Sequence, residues 1–395
     1  MTEKHVVLGV SGSIAAYKAV DLASKLTQAG IVVHTVMTEA ATQLVGEASF
    51  RAITGVSVST SMFDLANPHS IEHISLSEVA NLFVIAPCTA NVMAKMANGI
   101  ADDLLTCTAL ATRAPILIAP AMHTAMWKNA ATQANLETLK AHGMRFVGPA
   151  TGRLASGGFG VGRFAPVSEI LGTALHMLGA DGDLAGRKLV ITAGGTREPI
   201  DPVRFLGNRS TGKMGFALAE AARDRGANVS LVSGATTLPM PAGVSVHTIG
   251  TAAKMLDVVE ALSTDADVLI MAAAVADYAP EMQATEKLKK EDVDLVLPLI
   301  RTEDILNTIR DVPIRVGFAA ESENLVENAK GKLESKDLDL IVANDISRSD
   351  SGIGADNNEC TILDRSGESE FLSLMPKRQV ADRILDRIVG LLSAK

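Results

Sequence analysis

The sequence predicts an α/β protein with two doubly wound, Rossmann-like domains. One observation is a buried strand, a glycine turn and an amphipathic helix at residues 6–30, followed at once by a second strand. The other is a repeat of this order from residue 188 onward. Strand, turn, helix and strand in this order open a doubly wound parallel sheet, so two such openings predict two sheets.

The first unit begins with an apolar run at residues 6–10 (VVLGV), which predicts a buried strand. Residues 11–13 (SGS) form the turn, and apolar residues recur at helical spacing after it. Gly30 marks the end of this helix, because glycine readily adopts the left-handed conformation that follows many helices. Residues 31–37 predict the next strand.

The second unit repeats the pattern. Residues 188–192 (KLVIT) predict a strand, residues 193–196 (AGGT) a turn, and residues 214–225 a helix that ends at Gly226. The strand predicted next is at residues 228–234 (NVSLVSG).

The glycine-rich stretch at residues 179–186 (GADGDLAG) predicts a linker. The expected domains are therefore residues 1–178 and 187–395. One large sheet with a long insertion is the alternative.

Composition and charge limit the possible partners. The 395 residues include 36 basic and 45 acidic side chains, giving a net charge of −9, and only 3% aromatic residues. A general nucleic-acid binder usually has a basic face and stacking aromatics, so nucleic acid is not an expected partner.

No membrane partner is expected either. The apolar run at residues 268–276 is about half the length that a membrane span requires.

The first ten residues have no signal-peptide layout. Cys88, Cys107 and Cys360 are too widely spaced for a metal knuckle or a disulfide framework. We expect a soluble, cytoplasmic protein.

The glycine turns favour a mononucleotide over a dinucleotide. Residues 9–15 (GVSGSIA) and 192–198 (TAGGTRE) both lack the full G-x-G-x-x-G spacing. The strand at residues 31–37 is followed by Thr38, whereas an adenosine ribose usually needs a carboxylate there. A threonine hydroxyl suits a phosphate or a flavin.

Polar residues follow three strands of the first unit. The amides of Gly12, Ser13 and Ile14 stand where a helix begins, which predicts an anion site, although an ordinary tight turn is the alternative. Residues 87–91 (PCTAN) and 120–127 (PAMHTAMW) follow two further buried strands. Such strand ends form the ligand crevice of an open α/β sheet.

Four motifs of this unit resemble the flavin-dependent cysteine decarboxylases, a family that includes phosphopantothenoylcysteine decarboxylase. They are SGSIAAYK, APCTAN, KMANGIADDLL and PAMHTAMW, and the resemblance covers residues 1 to 178. It implies a trimer-forming domain that binds FMN between subunits and decarboxylates a terminal cysteine. The implied FMN contacts are Gly12, Ser13, Ile14, Thr38, Pro87, Thr89 and Asn91.

The resemblance implies that His73 is the catalytic acid and base at the substrate thiol. Without the context of the motifs, a structural histidine is the favoured interpretation of His73. Residues 69–73 (HSIEH) also fit an H-x-x-E-H zinc motif, but that motif needs a helix and a third ligand, and Pro68 precedes it.

Two positions depart from the family pattern. The implied substrate contacts are Met122, His123, Met126 and Trp127, and His123 replaces an asparagine that reads the substrate carboxylate. Residues 152–164 (GRLASGGFGVGRF) resemble the substrate clamp, where Ser156 replaces a cysteine that protonates the enethiol intermediate. Serine is a much weaker acid, so another donor such as His123 is an alternative.

The second unit offers several sites for anions. Residues 194–196 form a turn that could accept a phosphate, and Lys332 and Lys336 share one helix face. Asn208, Ser210, Thr211 and Lys213 precede a helix and could hold an anion. Lys287, Lys289 and Lys290 form a basic cluster that suits a triphosphate, with a solvated loop as the alternative.

These residues resemble the bacterial, CTP-using phosphopantothenate–cysteine ligases over residues 186–395. The resemblance implies an acyl-cytidylate intermediate, with Mg²⁺ accompanying the triphosphate. It implies that Asn208 handles the acyl-cytidylate and that Lys287 completes cysteine transfer. Arg204 precedes the Asn208 loop and is the expected ligand of the phosphopantothenate phosphate. The implied CTP contacts are Ala274, Asp277, Lys287, Thr302, Glu303, Asp304, Ile305, Phe318, Lys332 and Lys336.

The two resemblances together predict a bifunctional enzyme of coenzyme A biosynthesis that makes 4′-phosphopantetheine from 4′-phosphopantothenate, cysteine and CTP. Ligase units of this kind pair as dimers and decarboxylase units form trimers, which implies a homo-oligomer, a dodecamer. The alternatives are a two-domain Rossmann oxidoreductase and a non-catalytic flavin-binding regulatory protein.

Overall fold

The computed structural model describes residues 3–63, 72–289, 295–321, 325–345, 352 and 354–394. The chain divides into two compact units, Met1–Leu178 and Gly179–Lys395. Among the described residues, no helix has both the length and the apolar character needed to cross a membrane.

The first unit alternates strands and helices. In chain order its elements are β1 (His5–Val10), a 3-10 helix (Ile14–Ala16), α1 (Tyr17–Gln28), β2 (Val32–Met37), α2 (Glu39–Thr42), α3 (Glu47–Thr54), α4 (Glu72–Val79), β3 (Leu82–Cys88), α5 (Ala90–Ala97), α6 (Leu104–Ala111), β4 (Ile116–Pro120), α7 (Thr124–Trp127), α8 (Ala130–Ala141), β5 (Arg145–Phe146), β6 (Ala150–Arg153), β7 (Phe159–Arg163) and α9 (Val167–Leu178).

Strands β1 to β5 form a parallel sheet in the order β2-β1-β3-β4-β5. Leu8 of β1 packs with Leu22 in the apolar cluster on one face, and Val7 packs with Leu105 in the cluster on the other. The strands are nearly all apolar because helices cover both faces. This strand order is flavodoxin-like, and ligands of such sheets bind where the order reverses, between β1 and β3.

The second unit repeats the plan on a larger scale. Its elements are β8 (Lys188–Ala193), β9 (Arg197–Pro199), β10 (Phe205–Gly207), α10 (Lys213–Asp224), β11 (Asn228–Ser233), β12 (Ser245–Thr248), α11 (Ala252–Ser263), β13 (Val268–Met271), β14 (Tyr278–Pro280), β15 (Leu299–Arg301), α12 (Ile305–Thr308), β16 (Ile314–Glu321), α13 (Leu325–Ser335), β17 (Leu340–Asp345), β18 (Asn357–Asp364), β19 (Ser369–Pro376) and α14 (Lys377–Ala394).

Eight strands form the main sheet in the order β12-β11-β8-β13-β16-β17-β18-β19. The first six are parallel and the last two pair antiparallel. Ile191 of β8 packs against α10 and α14 through Phe216 and Ile384, while Val190 packs with Met255 of α11 on the opposite face. The predicted fold class, α/β with two doubly wound sheets, is confirmed.

Residues 179–186, for which the sequence predicts a linker, pack closely on the second unit. Leu184 is fully buried in the apolar cluster around α10. A Cβ atom on Gly182 would lie 2.3 Å from the carbonyl oxygen of Arg225, so only glycine allows this approach of the two backbones.

Candidate active sites

A cavity of about 780 Å³ lies at the carboxyl ends of β1, β3 and β4 in the first unit. It therefore stands at the reversal of strand order, where open α/β sheets bind their ligands. Eight of the residues predicted from the sequence line it together: Gly12, Ser13, Ile14, Thr89, Met122, His123, Met126 and Ser156. Three basic side chains that the sequence did not single out also line it: Lys18, Arg153 and Arg163.

A buried serine joins the ends of β1 and β3 beneath this cavity. The hydroxyl of Ser11 donates to the carbonyl oxygen of Pro87 at 2.7 Å and accepts from the amide of Thr89 at 3.0 Å. Gly12 follows directly, and a Cβ atom there would lie 2.4 Å from the Cβ of Ala40. Close packing thus requires glycine at the turn, and the turn presents the amides that precede α1 to the cavity.

His123 caps the short helix α7. Its Nδ1 accepts a hydrogen bond of 3.2 Å from the amide of Ala125. A ring nitrogen that accepts must be unprotonated, so in the neutral imidazole the proton is assigned to Nε2. Nε2–H remains available as a donor on an exposed side chain at the cavity.

The β6–β7 hairpin is fastened to the loop after β4. The hydroxyl of Thr124 donates to the carbonyl oxygen of Val161 at 2.6 Å. The amide of Met122 donates to the carbonyl oxygen of Gly162 at 2.9 Å. A Cβ atom on Gly160 would lie 2.4 Å from Oγ1 of Thr124. This attachment places the exposed Ser156, in the turn of the hairpin, at the cavity.

Four predicted FMN or substrate residues do not line the cavity. Thr38 caps α2, accepting from the amide of Ala41 at 3.3 Å. Pro87 is buried, Asn91 is exposed in the first turn of α5, and Trp127 packs against the apolar cluster around β3 and α6.

His73 also stands away from the cavity of its own chain. It is half-buried on α4, next to the exposed Ile74. Residues 68–71, which include the first histidine of the H-x-x-E-H pattern, lie outside the described residues. In the described part of the chain, no group of three His, Cys, Asp or Glu side chains is placed to hold a metal.

A second cavity, of about 920 Å³, opens at the carboxyl ends of β13 and β16 in the second unit. Loops after β13 and β15, strand β16 and helices α12 and α13 bring the predicted CTP residues to it, apart from Lys287. Asn208 joins them on the wall, and the CTP residues that line the cavity are Ala274, Asp277, Thr302, Glu303, Asp304, Ile305, Phe318, Lys332 and Lys336.

The side chain of Asn208 is held over the loop after β13. Its Nδ2 donates to the carbonyl oxygens of Ala274 at 3.3 Å and Val275 at 3.0 Å. Both amide hydrogens thus point to the backbone, which leaves Oδ1 as the acceptor for a ligand.

The loop before α12 is fixed in the same way. The hydroxyl of Thr302 donates to the carbonyl oxygen of Ala276 at 2.6 Å, and Asp304 caps α12 by accepting from Asn307 at 3.2 Å. The other carboxylate oxygen of Asp304 lies 2.7 Å from Nζ of Lys336. A lysine that the sequence predicts at the nucleotide is therefore oriented by a carboxylate.

Residues 194–196 do not line this cavity. Thr196 is buried, and its hydroxyl accepts a hydrogen bond of 2.9 Å from the amide of Ala276. The carbonyl oxygen of Gly194 accepts one of 2.8 Å from the amide of Ala274. The turn supports the loop after β13 from below. Gly194 has φ +76°, a left-handed conformation that glycine adopts without strain.

Arg204 forms an ion pair with the buried carboxylate of Asp201. Its Nε lies 2.9 Å from Oδ2 of Asp201, and its Nη2 donates to the carbonyl oxygen of Leu288 at 2.8 Å. The guanidinium and three backbone amides hold the pKa of Asp201 far below its usual range. Lys287 and Lys289 flank Leu288 and are exposed, and Lys290 lies outside the described residues.

Sequence reasoning missed Lys377 and the role of Lys213 beside it. Both line the second cavity. Burial, with the charge of Lys213, lowers the pKa of Lys377. Lys377 begins α14, directly after an edge strand. A lysine at such a position is usually solvent-exposed, so the sequence gave no indication that this one is buried.

Comparisons with known proteins agree with this division of the chain. The Flavoprotein family model matches residues 1–179. The model described as DNA/pantothenate metabolism flavoprotein C-terminal domain matches residues 184–392.

Curated relatives match over nearly the full length. The coenzyme A biosynthesis bifunctional protein CoaBC of Bacillus subtilis (strain 168) is 44% identical over 397 residues, covering 99% of this chain and 98% of the relative. The protein of the same name from Vibrio cholerae is 40% identical over 391 residues, covering 98% of each chain.

Two solved structures are also similar. The C-terminal domain of a CoaBC protein is 40% identical with a TM-score of 0.47, covering 54% of this chain and 100% of that one. The FMN-dependent cysteine decarboxylase SpaF is 34% identical with a TM-score of 0.40, covering 44% and 97%.

The two family models and the curated relatives define a bifunctional enzyme with a flavoprotein decarboxylase unit and a ligase unit. The chain belongs to the CoaBC family of bifunctional coenzyme A biosynthesis proteins. The enzyme class predicted from the sequence is confirmed, and the oxidoreductase and regulatory alternatives are not favoured.

Proposed function

We propose that residues 187–395 join cysteine to 4′-phosphopantothenate at the expense of CTP, and that residues 1–178 decarboxylate the product with FMN. The observation that carries this assignment is the convergence of residues from distant parts of the chain on the second cavity. Nine of the positions proposed to contact CTP line one space of about 920 Å³. A pocket of this size suits a nucleotide with a second substrate beside it.

The ligase reaction has two steps. A carboxylate oxygen of 4′-phosphopantothenate attacks the α-phosphorus of CTP, forming a P–O bond as the bond to pyrophosphate breaks. The amine of cysteine then attacks the acyl carbon, forming the C–N bond as CMP leaves with the electron pair of the broken C–O bond. The amine proton passes to solvent.

Both steps build negative charge, which positioned cations stabilise. Lys332 and Lys336 are proposed to face the phosphates, with Asp304 holding Lys336 in place at 2.7 Å. Asn208 has its amide hydrogens fixed on the backbone, so we propose that its Oδ1 orients the acyl-cytidylate. The hydrogen bond of 3.0 Å from Nδ2 of Asn208 to the carbonyl oxygen of Val275 supports this role.

Lys287 is proposed to complete the cysteine transfer. It stands outside the cavity on an exposed segment whose backbone is tied to Arg204 and Asp201 through Leu288. We propose that this segment brings the ammonium to the acyl carbon when substrates are bound. Arg204 would then act indirectly, by holding the segment that carries Lys287. Its second proposed role is direct contact with the phosphopantothenate phosphate.

Mg²⁺ is proposed to accompany CTP. Asp277 and Glu303 are carboxylates on the cavity wall. Magnesium is typically held by one or two carboxylates together with substrate phosphates, so this donor set fits the ion. It would neutralise charge on the leaving pyrophosphate.

The first cavity fits FMN. The amides at Gly12 to Ile14 and the cations of Arg153 and Arg163 suit phosphate groups, while the exposed side chains of Ile14 and Met126 suit a flat apolar ring. FMN supplies, when bound, reversible two-electron chemistry at the substrate thiol. The hairpin would exclude water, and Nε2–H of His123 would donate to the substrate carboxylate.

His73 is proposed to act in the cavity of a neighbouring copy, accepting the thiol proton there. The resemblance implies that the flavin binds between subunits. Exposed apolar side chains beside both features, Ile14 and Tyr17 at the cavity and Ile74 beside His73, support such a contact. A trimer of first units and a dimer of second units, forming a dodecamer in the cytoplasm, are part of this proposal.

The test is product analysis with the full chain. CTP, 4′-phosphopantothenate and cysteine should give pyrophosphate, CMP, CO₂ and 4′-phosphopantetheine, and ATP in place of CTP is the nucleotide control. Omitting FMN from a flavin-free preparation should stop the reaction at the cysteine adduct. Pyrophosphate release without any adduct would contradict the ligase assignment.

A further inference from the structure

A buried ammonium lies at the centre of one loop of the second unit. Nζ of Lys377 donates to the carbonyl oxygens of Gly352 at 2.8 Å and Asn357 at 3.3 Å, and also to that of Ala355. The backbone amide of Lys377 donates to the carbonyl oxygen of Asp356 at 3.1 Å. Four carbonyl groups of a single loop are therefore directed at one residue that is only 7% exposed.

Such burial is costly unless every donor is satisfied. An ammonium has three donors, and Lys377 has three carbonyl acceptors, so the site is complete. The loop is folded around the lysine much as a loop folds around a bound cation. Gly352 and Gly354, with φ values of +83° and +84°, allow the turns that this requires.

A second lysine ties the same loop to helix α10. Nζ of Lys213, in the first turn of α10, donates to the carbonyl oxygen of Gly354 at 2.8 Å and to Oδ1 of Asp356 at 2.7 Å. Oδ1 of Asn358 accepts from the amide of Gly352 at 3.1 Å, which fixes the start of the loop.

This arrangement changes the electrostatics of the cavity wall. Gly352, Gly354, Lys213 and Lys377 all line the second cavity. Carbonyl oxygens that faced the cavity would repel phosphate groups, but here they are turned onto the two ammonium groups. The N-cap of α10 is Gly212, which makes no side-chain cap, so the first amides of the helix stay open to an anion.

We propose that Lys377 is a positioning residue of the ligase site: it draws the carbonyl groups of Gly352, Ala355, Asp356 and Asn357 away from the nucleotide phosphates and holds these residues, together with Lys213, beside the N-terminus of α10. The inference rests on the proposed function, since it takes the second cavity as the CTP site. Lys377 itself does not touch the nucleotide.

The experiment compares Lys377→Met and Lys377→Arg in the full chain, with Lys254→Met as the matched control on an exposed lysine of α11. Lys377→Met should raise the KM for CTP about 10- to 100-fold, as misplacement of a substrate by a remote change does. The KM for cysteine and the decarboxylase turnover should stay at the values of the unaltered chain. Lys377→Arg, which keeps the cation and its donors, should recover most of the loss.

Asp277→Ala separates this inference from the proposed function. If Asp277→Ala leaves the KM for CTP unchanged, the cavity is not the nucleotide site and the proposed function fails. If Asp277→Ala raises that KM and Lys377→Met does not, only the role of Lys377 is overturned. An equal rise for all three substrates in Lys377→Met would also overturn it.

A surface variant covers the case in which Lys377→Met does not fold. Asp356 is exposed, and Asp356→Ala releases Lys213 from the side chain of the loop without emptying the interior. It should raise the KM for CTP several-fold while the KM for cysteine holds. An unchanged KM for CTP in Asp356→Ala would overturn the proposal.

Discussion

Arg204 donates a hydrogen bond of 2.8 Å from Nη2 to the carbonyl oxygen of Leu288, 84 positions further along the chain. Oδ2 of Asp201 accepts from Nε of Arg204 at 2.9 Å and from the amide of Leu288 at 3.2 Å. The buried carboxylate of Asp201 therefore binds both residues of the contact, Arg204 and Leu288. Through it, the β9–β10 hairpin fixes the segment that carries Lys287.

We expect Asp201→Asn to impair the second half of the ligase reaction more than the first. The amide keeps the shape of the carboxylate but loses the charge that pairs with Arg204, so the segment around Lys287 shifts. Product formation from cysteine should fall about tenfold or more, in line with the cost of small misplacements. Exchange of labelled pyrophosphate into CTP, which reports the first step, should change little.

Asp257→Asn is the matched control, because that carboxylate pairs with Lys254 on an exposed helix face. An equal loss of exchange and product formation in Asp201→Asn would contradict the role given to this contact.

The first unit contains a histidine pair that makes its stability depend on pH. Nδ1 of His5 lies 3.1 Å from Nε2 of His34, and the two rings stack with centroids 5.4 Å apart. Burial, with the charge of His5, lowers the pKa of His34 below its usual 6.5. Glu3, 3.9 Å from Nε2 of His5, is the acidic side chain in this group.

The sign follows from linkage. A histidine whose pKa is lowered in the folded state stays neutral there, so the unfolded chain binds the proton more readily. Stability is therefore fully present above pH 6.5 and is lost as the pH falls through the lowered pKa of His34. The protection factors of the β1 and β2 amides in hydrogen exchange, which are corrected for the intrinsic pH dependence of exchange, should fall on acidification in the unaltered chain.

His34→Gln should remove most of this fall in the protection factors, while His142→Gln, at an exposed histidine, should retain it. A pH response of β1 and β2 that is identical in all three proteins would show that the pair is not its source.

Local patterns predicted the fold, but the order of the strands needed the structure. Residues 6–10 and 189–191 are apolar because helices cover both faces of each sheet, and both apolar runs are visible in the sequence. Pairing between β1 and β3, or between β8 and β13, joins residues far apart in the chain, and periodicity carries no information about it. Periodicity is also silent on the packing of residues 179–186. Their glycines indicate a linker, but a Cβ atom on Gly179 or Gly182 would clash with the carbonyl oxygen of Asp224 or Arg225.

Site residues at strand ends were predictable, and those acting through buried contacts were not. Gly12, His123 and Asn208 follow strands or precede helices, where a sequence can be read for ligand contacts. Lys377 and Asp201 are charged residues that tertiary folding buries among carbonyls and a guanidinium, and charge in a sequence normally predicts exposure. His73 and Lys287 were singled out by resemblance, and they stand outside the cavities of the single chain.

The hairpin contact at Gly160 should matter for decarboxylation alone. In Gly160→Ala the new methyl group would lie 2.4 Å from Oγ1 of Thr124, so the hairpin must move away from the loop after β4. Decarboxylase kcat/KM should fall about tenfold or more, and ligase activity should not change. Thr124→Ala in the same chain should restore part of the loss by making room.

Gly158→Ala is the control in the same hairpin, since the nearest atom to its Cβ would be Oγ of Ser156 at 3.9 Å. Equal activity of Gly158→Ala and Gly160→Ala would contradict the attachment.

Ser156 stands at the first cavity on the turn of the hairpin, where the family resemblance implies a thiol as proton donor. A cysteine thiol has an ordinary pKa of about 8.5, whereas a serine hydroxyl is a far weaker acid. If Ser156 limits protonation of the enethiol, Ser156→Cys should speed its conversion to 4′-phosphopantetheine, and Ser156→Ala should slow it. Quenched-flow mass spectrometry of the enethiol and the product measures this step directly. Unchanged rates in both variants would instead assign the proton to another donor, and His123→Gln, which removes the Nε2–H at the same cavity, should then slow the step.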